Sequence, residues 1–262
     1  MQTWKYLKLE RSGEHILTLT FNRPERRNAL NFEMVGEVEA CFRELHASAD
    51  FRVLVLTGEG TAFGAGADLK ERAGLEPERI RLQRETVLRV VELMETLPAP
   101  VIAMVNGPAF AGGFEIALGC DIRIASDRAS FALTEVRNAG AFPGAGGPVR
   151  LPKLVGRGRA NLIVLTGRRF SAEEAFALGF VEMVVPHDRL VDETMEIARE
   201  IATGSPLGVR AAKRLIRQSA EVDLASATVL SRALRDPLDS TRDSAEGYAA
   251  WVEKRPPEFT GE

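Results

Sequence analysis

The 262-residue chain predicts an α/β core followed by a helical C-terminal region. Three observations carry that expectation. The first two apolar segments alternate with polar residues as strands do. Strand-like and helix-like runs then interleave over three quarters of the chain. Beyond about Glu200 only helical patterns remain. The division is therefore read as a core over 1–199 and a helical region over 200–262. A hydrophobic content of 45% suits a globular protein with a sizeable core.

"WKYLKLE" and "HILTLTF" read as a strand pair joined at Ser12-Gly13, and the chain then turns at "NRPERRNALN". From Phe32 to about Asp50 the apolar spacing becomes helical. "RVLVLTG" follows as a buried strand, then the glycine-rich loop "GEGTAFGAGADLKE" and a long helix from about Pro77 to Leu97. "APVIAMV" is the next buried strand and leads into "NGPAFAGGFEIALGCD". "DIRIAS" and "SFAL" are short strands. After "AFPGAGG" helices dominate, broken at Gly156, Gly167 and Gly179, with a brief strand at "VEMVV".

A formal net charge of -3 argues against a nucleic-acid binder that is basic overall, so any anion site must be local. Cys41 and Cys120, the two cysteines, form no metal or redox motif and suggest a reducing compartment. "MQTWKYLKLE" lacks the apolar run of a secretion signal, and no segment reaches the length of a membrane span. A soluble, cytoplasmic protein is expected.

"GAGADL" from Gly64 has Leu69, and "GAGGPV" from Gly144 has Val149, where a dinucleotide fingerprint needs its third glycine. Phosphate-loop, serine-elbow and zinc-helix motifs are missing, and His15, His46 and His187 lie far apart. Two glycine-rich turns remain, Gly64 to Asp68 and Ala111 to Gly113, each between a buried strand and a helix. Such turns expose backbone N–H groups, and two of them converging on one oxygen make an oxyanion hole. Glu115, three residues into one turn's helix, and Glu135, just after "FALT", are candidate general acid and base beside a polarised carbonyl. The plain alternatives are a glutamate favoured by the helix dipole at 115 and a solvated loop carboxylate at 135.

These residues resemble the crotonase family, the enoyl-CoA hydratases and isomerases. "FNRPERRNALN", "GTAFGAGADLKE", "VNGPAFAGGFEIALGCDIRIAS" and "FPGAGGPVRLPKLVG" carry the likeness in that order over nearly the whole chain. The resemblance implies a spiral of repeated ββα units with a helical C-terminal trimerisation region, as homotrimers or hexamers. It implies that the N–H groups of Ala67 and Gly112 form the oxyanion hole, and that Glu115 and Glu135 hold and activate the water added to an enoyl-CoA. Coenzyme A, part of the substrate rather than a separate cofactor, is expected along Ala65, Asp68, Leu69 and Lys70. The resemblance also puts Arg26, Arg27 and Ala29 near that loop, and Pro143 and Gly144 among the residues that bind coenzyme or substrate. Trp251 and Lys254 match residues that reach the coenzyme on a neighbouring subunit. No nucleic-acid or membrane partner is expected.

Two departures from the family pattern stand out. Phe110 and Phe114 flank the second turn and are expected to narrow or reshape the acyl pocket, further residues of which fall on the segment from Arg72 to about Arg84. "EVRNAGAFPG" is one residue longer than the hydratase pattern, so alignment from either end offers Glu135 or Val136; Glu135 is favoured because the strand before it fixes its place. Displacement of Glu135 would favour a double-bond isomerase. "GADLKERA" is closest to the methylglutaconyl-CoA hydratases, some of which bind RNA through a lysine-rich helix. The matching helix here carries five acidic residues and one arginine, which argues against RNA.

Overall fold

A computed structural model describes residues 3–48 and 50–262. Strands β1 (Leu7–Gly13) and β2 (Ile16–Phe21) form the expected antiparallel hairpin. Its turn falls at Glu14-His15, two residues beyond the expected corner, because a register shift between Arg11 and Gly13 carries β1 further. Then come α1 (Phe32–Ala47), β3 (Val53–Gly58), α2 (Leu69–Arg72), α3 (Pro77–Thr96) and β4 (Val101–Val105). They are followed by β5 (Ala109–Phe110), α4 (Gly112–Gly119), β6 (Ile122–Ser126), β7 (Ser130–Ala132) and α5 (Glu135–Asn138). Next are α6 (Gly147–Thr166), β8 (Phe170–Ser171), α7 (Ala172–Leu178), β9 (Met183–Val185) and α8 (Leu190–Thr203). The chain closes with α9 (Pro206–Ser219), α10 (Leu224–Arg235) and α11 (Arg242–Glu253).

The large sheet has the order β1-β2-β3-β4-β6-β9, parallel from β2 onward, and a small sheet has the order β5-β7-β8. Alternate residues of β3 and β4 face two covered sides, which explains why both strands are buried throughout and almost wholly apolar. Val53 and Val55 of β3 and Ile102 and Met104 of β4 face one core, closed by Leu190, Met195 and Ala198 of α8. Leu54, Leu56, Val101, Ala103 and Val105 face the other, with α1, α3 and α4.

The chain repeats one unit: a long strand, a short extended piece, then a helix. β3 leads through Gly64 to α2, β4 through β5 to α4, and β6 through β7 to α5. The short pieces stack, Gly64 bridging to Ala109 and β5 pairing with β7, so the starts of α2, α4 and α5 become neighbours. Two-residue strands carry no periodicity, which is why β5 and β8 escape a reading of the sequence. Gly156 breaks α6 as expected, at φ 77° and ψ 160°.

α8 packs on the large sheet, and the 199/200 division falls inside it. α9 and α10 pack mainly on each other, and Pro206 alone of their residues is buried. The tail returns to the core. The Arg52 guanidinium donates to the carbonyls of Ala202 (2.8 Å) and Phe259 (2.6 Å), and buried Asp243 accepts from the N–H groups of Thr260 and Gly261.

Candidate active site

The two glycine-rich turns touch. A Cβ on Gly66, at φ 84°, would lie 2.6 Å from the Ala111 Cβ and 2.9 Å from the Phe110 carbonyl oxygen. One on Gly113 would lie 2.3 Å from the Gly64 oxygen. Only glycine permits that approach. The first turn is held by the pair Leu30 N–H to Gly66 O (2.8 Å) and Asp68 N–H to Leu30 O (3.0 Å). The second is held by Ala111, whose N–H donates to Ala132 O at 2.8 Å while its backbone takes the strained combination φ 50°, ψ -126°. Between these anchors, the N–H groups of Ala67 and Gly112 have no acceptor among the described residues. Gly112 opens α4, so its N–H is one of the helix's unsatisfied donors and carries the positive end of the dipole.

One turn further along α4, Glu115 is 2% exposed. Its Oε1 accepts N–H bonds from Ala145 and Gly147, both 2.8 Å, donated by the loop that enters α6. Burial pushes its carboxyl up to about 7, helped by the negative charge of Glu135 and opposed by those N–H groups and the Arg150 guanidinium. Arg150 also donates to Ala145 O (3.2 Å) and is clamped on both nitrogens by Glu95 at 2.6 and 2.7 Å, which steadies the loop.

Glu135 opens α5, three residues past β7. Burial also raises its carboxyl above the usual range, against its own backbone N–H and the positive charge of Arg72. Its Oε2 is buried and has no hydrogen-bond partner among the described residues. Val136, the rival position, is exposed. The pair of carboxyl groups thus combines one held tightly by the backbone and one with a free oxygen. A carboxyl raised to about 7, with a second one also raised beside it, suits proton exchange near neutrality.

Of the other expected residues, Arg27 and Ala29 are tied to the 65–70 loop, and Arg26 makes no hydrogen bond to it among the described residues. Ala65 N–H donates to Arg27 O (3.0 Å), and the Arg23 guanidinium spans Ala29 O and Asp68 Oδ2, both 2.8 Å. Asp68 caps α2 through the N–H groups of Lys70 and Glu71; Leu69 and Lys70 are exposed, as are Arg26 and Arg27. Pro143 is buried next to Gly144, over which the Arg84 side chain lies. Trp251 and Lys254, at the end of α11, are exposed, and no hydrogen bond or ion pair ties them to these elements among the described residues.

Phe114 does not reshape the pocket. It is fully buried against Phe131 and Phe180, ring centroids 5.2 Å from each, because its place in α4 points it into the core between the small sheet and α7. Phe110 lies under the Arg169 guanidinium, 4.7 Å from the ring centre. Ala145, Gly147, Arg150 and Glu95, which hold Glu115, carry no local signature in the sequence. Neither does Arg72. No group of three or more His, Cys, Asp or Glu side chains that would hold a metal occurs among the described residues, and no helix there is long and apolar enough to cross a membrane.

A mixed α/β fold with two apposed N–H donors and two proton-binding carboxyl groups defines an enzyme site for carbonyl chemistry. The family model for enoyl-CoA hydratase/isomerase matches residues 11–262, and the chain belongs to that family. The crystal structure of an enoyl-CoA hydratase from Bacillus anthracis superposes with a TM-score of 0.96 at 40% identity, covering 98% of this chain and 100% of that one. A Bacillus subtilis protein named as an enoyl-CoA hydratase/isomerase is 40% identical over 250 residues, 95% of this chain and 96% of its own length. The 2,3-dehydroadipyl-CoA hydratase of Escherichia coli is 38% identical over 252 residues, 95% and 96% of the two chains.

Proposed function

We propose that the protein is an enoyl-CoA hydratase. The observation that carries this is the pairing of Glu115 and Glu135, both with raised proton affinity, one of them keeping a buried oxygen without a partner. In this reading the thioester oxygen accepts the N–H groups of Ala67 and Gly112, which stabilise the enolate that forms as C3 is attacked. A water held between the glutamates gives its oxygen to C3. One carboxylate takes a proton from that water, and a carboxyl group delivers a proton to C2, so the double bond becomes a 3-hydroxyacyl thioester. The substrate brings its coenzyme, along Arg26, Arg27, Ala29, Ala65, Asp68, Leu69 and Lys70, and no further cofactor takes part.

The same reading includes a homotrimer or hexamer, acting in the cytoplasm in fatty acid metabolism. Its support is apolar surface. Ile216, Leu224, Val229, Tyr248, Trp251 and Val252 are exposed on the C-terminal helices, more than an isolated monomer usually leaves in water. A groove of about 1130 Å³ between α4, α6 and α9 is open beside them. A neighbouring copy covering these helices would bring Trp251 and Lys254 to a coenzyme.

The test is the loss of the conjugated thioester's ultraviolet absorbance when crotonyl-CoA meets purified protein. Glu115→Gln and Glu135→Gln are each expected to lower the rate roughly 10²-fold or more. Near-normal hydration by Glu135→Gln would overturn the two-glutamate reading and leave a proton-shuttling isomerase.

A further inference from the structure

Arg72 ends α2 with its guanidinium half-buried. Its Nε donates to the Gln83 amide oxygen at 2.7 Å. Gln83 is 1% exposed and is itself fixed, its amide nitrogen donating to Leu30 O at 3.2 Å and Glu71 Oε2 at 3.4 Å. The arginine is therefore aimed by a buried scaffold rather than left to wander. Its two terminal nitrogens make no hydrogen bond, and no carboxylate lies within 4.0 Å of the guanidinium among the described residues. A second guanidinium, Arg84, runs over Gly144 and is close enough to repel Arg72; it too has no hydrogen bond or ion pair among the described residues.

Both glutamates feel the charge of Arg72, and for Glu135 it is the principal opposing charge. Arg84, beside Arg72, lies over Gly144, next to the Ala145 N–H that holds Glu115, so the two guanidinium groups belong to the glutamate side of the site. The exposed Arg26, Arg27 and Lys70 are, in the proposed reading, the coenzyme side. Leaving Arg72 unpaired in a half-buried setting is costly, and burial is the main influence that weakens its charge, whereas Arg84 beside it is exposed. An arginine fork matches the two oxygens of a carboxylate.

We infer that Arg72, seconded by Arg84, binds a free carboxylate at the far end of the acyl chain, so that the preferred substrates are thioesters of dicarboxylic acids. The inference rests on the acyl-CoA reading of the site. It does not rest on turnover, and saturated ligands test it separately. Titration calorimetry would compare glutaryl-CoA, pentanoyl-CoA and free coenzyme A on the wild-type protein, Arg72→Met and Arg72→Lys. The wild type is expected to bind glutaryl-CoA at least tenfold tighter than pentanoyl-CoA. Arg72→Met should lose that preference while binding free coenzyme A as the wild type does, and Arg72→Lys should restore part of it. Equal wild-type affinity for the two acyl ligands would overturn the inference. So would a parallel loss for all three ligands in Arg72→Met, which would assign the arginine to the coenzyme phosphates or to the loop. Hydration of crotonyl-CoA, measured separately, decides the hydratase reading alone: a protein that binds glutaryl-CoA selectively but hydrates nothing would retain the carboxylate site and lose the proposed activity.

Discussion

Glu115 is the place where function costs stability. Its carboxyl has an ordinary value of 4.5 and is pushed to about 7 in the fold, chiefly by burial. The native state therefore holds this proton more tightly than the unfolded chain does. The stabilising contribution is complete below about pH 4.5 and is lost as the pH rises to about 7. At about 1.36 kcal/mol per pH unit, the rise corresponds to about 3 kcal/mol of stability forgone at pH 8. Glu115→Gln removes the titration but keeps an oxygen that can accept from Ala145 and Gly147. The variant should be more stable than the wild type at pH 8, and the gap should shrink by about 2 to 3 kcal/mol at pH 5. Urea denaturation at fixed protein concentration, at both pH values, measures this directly. A gap that does not change with pH would refute the reasoning, because it would mean that Glu115 is not held neutral by its surroundings.

Gly66→Ala should destabilise the fold by on the order of 2 kcal/mol or more, since its Cβ would meet Ala111 and Phe110 at a φ of 84°. It should also lower hydration of crotonyl-CoA by more than the thermal shift explains, because the two N–H donors are pushed apart. Wild-type turnover in Gly66→Ala would separate that close contact from catalysis. Lys213, whose side chain is only 8% exposed, is 2.6 Å from Asp121 and also donates to Met94 O and Ala99 O. Burial already raises the Asp121 carboxyl against the pull of Lys213. Lys213→Met should cost about 3 to 5 kcal/mol, and adding Asp121→Asn should recover part of it; a double mutant no more stable than the single would show that the ion pair is not what holds α9 to the core.

What the sequence disclosed and what it hid follow from the range of each interaction. The buried strands and the long helices are set by apolar spacing within ten or twenty residues, and they lie where that spacing puts them. Glu115 was legible because two glycines and a helix start surround it locally. The groups that hold it were not, because Ala145 and Gly147 reach it from thirty residues away through their backbones, which have no side-chain signature. Arg72 opens the segment expected to line the pocket, but its aim was not legible, since the glutamine that fixes it lies on another helix. Phe114 misled because a turn-flanking aromatic looks the same in sequence whether it faces a pocket or the core.

The extra residue after Glu135 shows how these ranges combine. Its loop is anchored at one end by β7 and the start of α5, which hold Glu135, and at the other by the N–H groups that grip Glu115. Residues 136–142 between them are all exposed, and Phe142 is 71% exposed. Neither anchor can shift by one residue without exchanging a buried carboxyl for an apolar side chain or losing two N–H bonds to a buried oxygen, each a larger cost than lengthening a surface loop. An added residue is therefore best accommodated on the solvent side, which is the physical ground for preferring Glu135 over Val136.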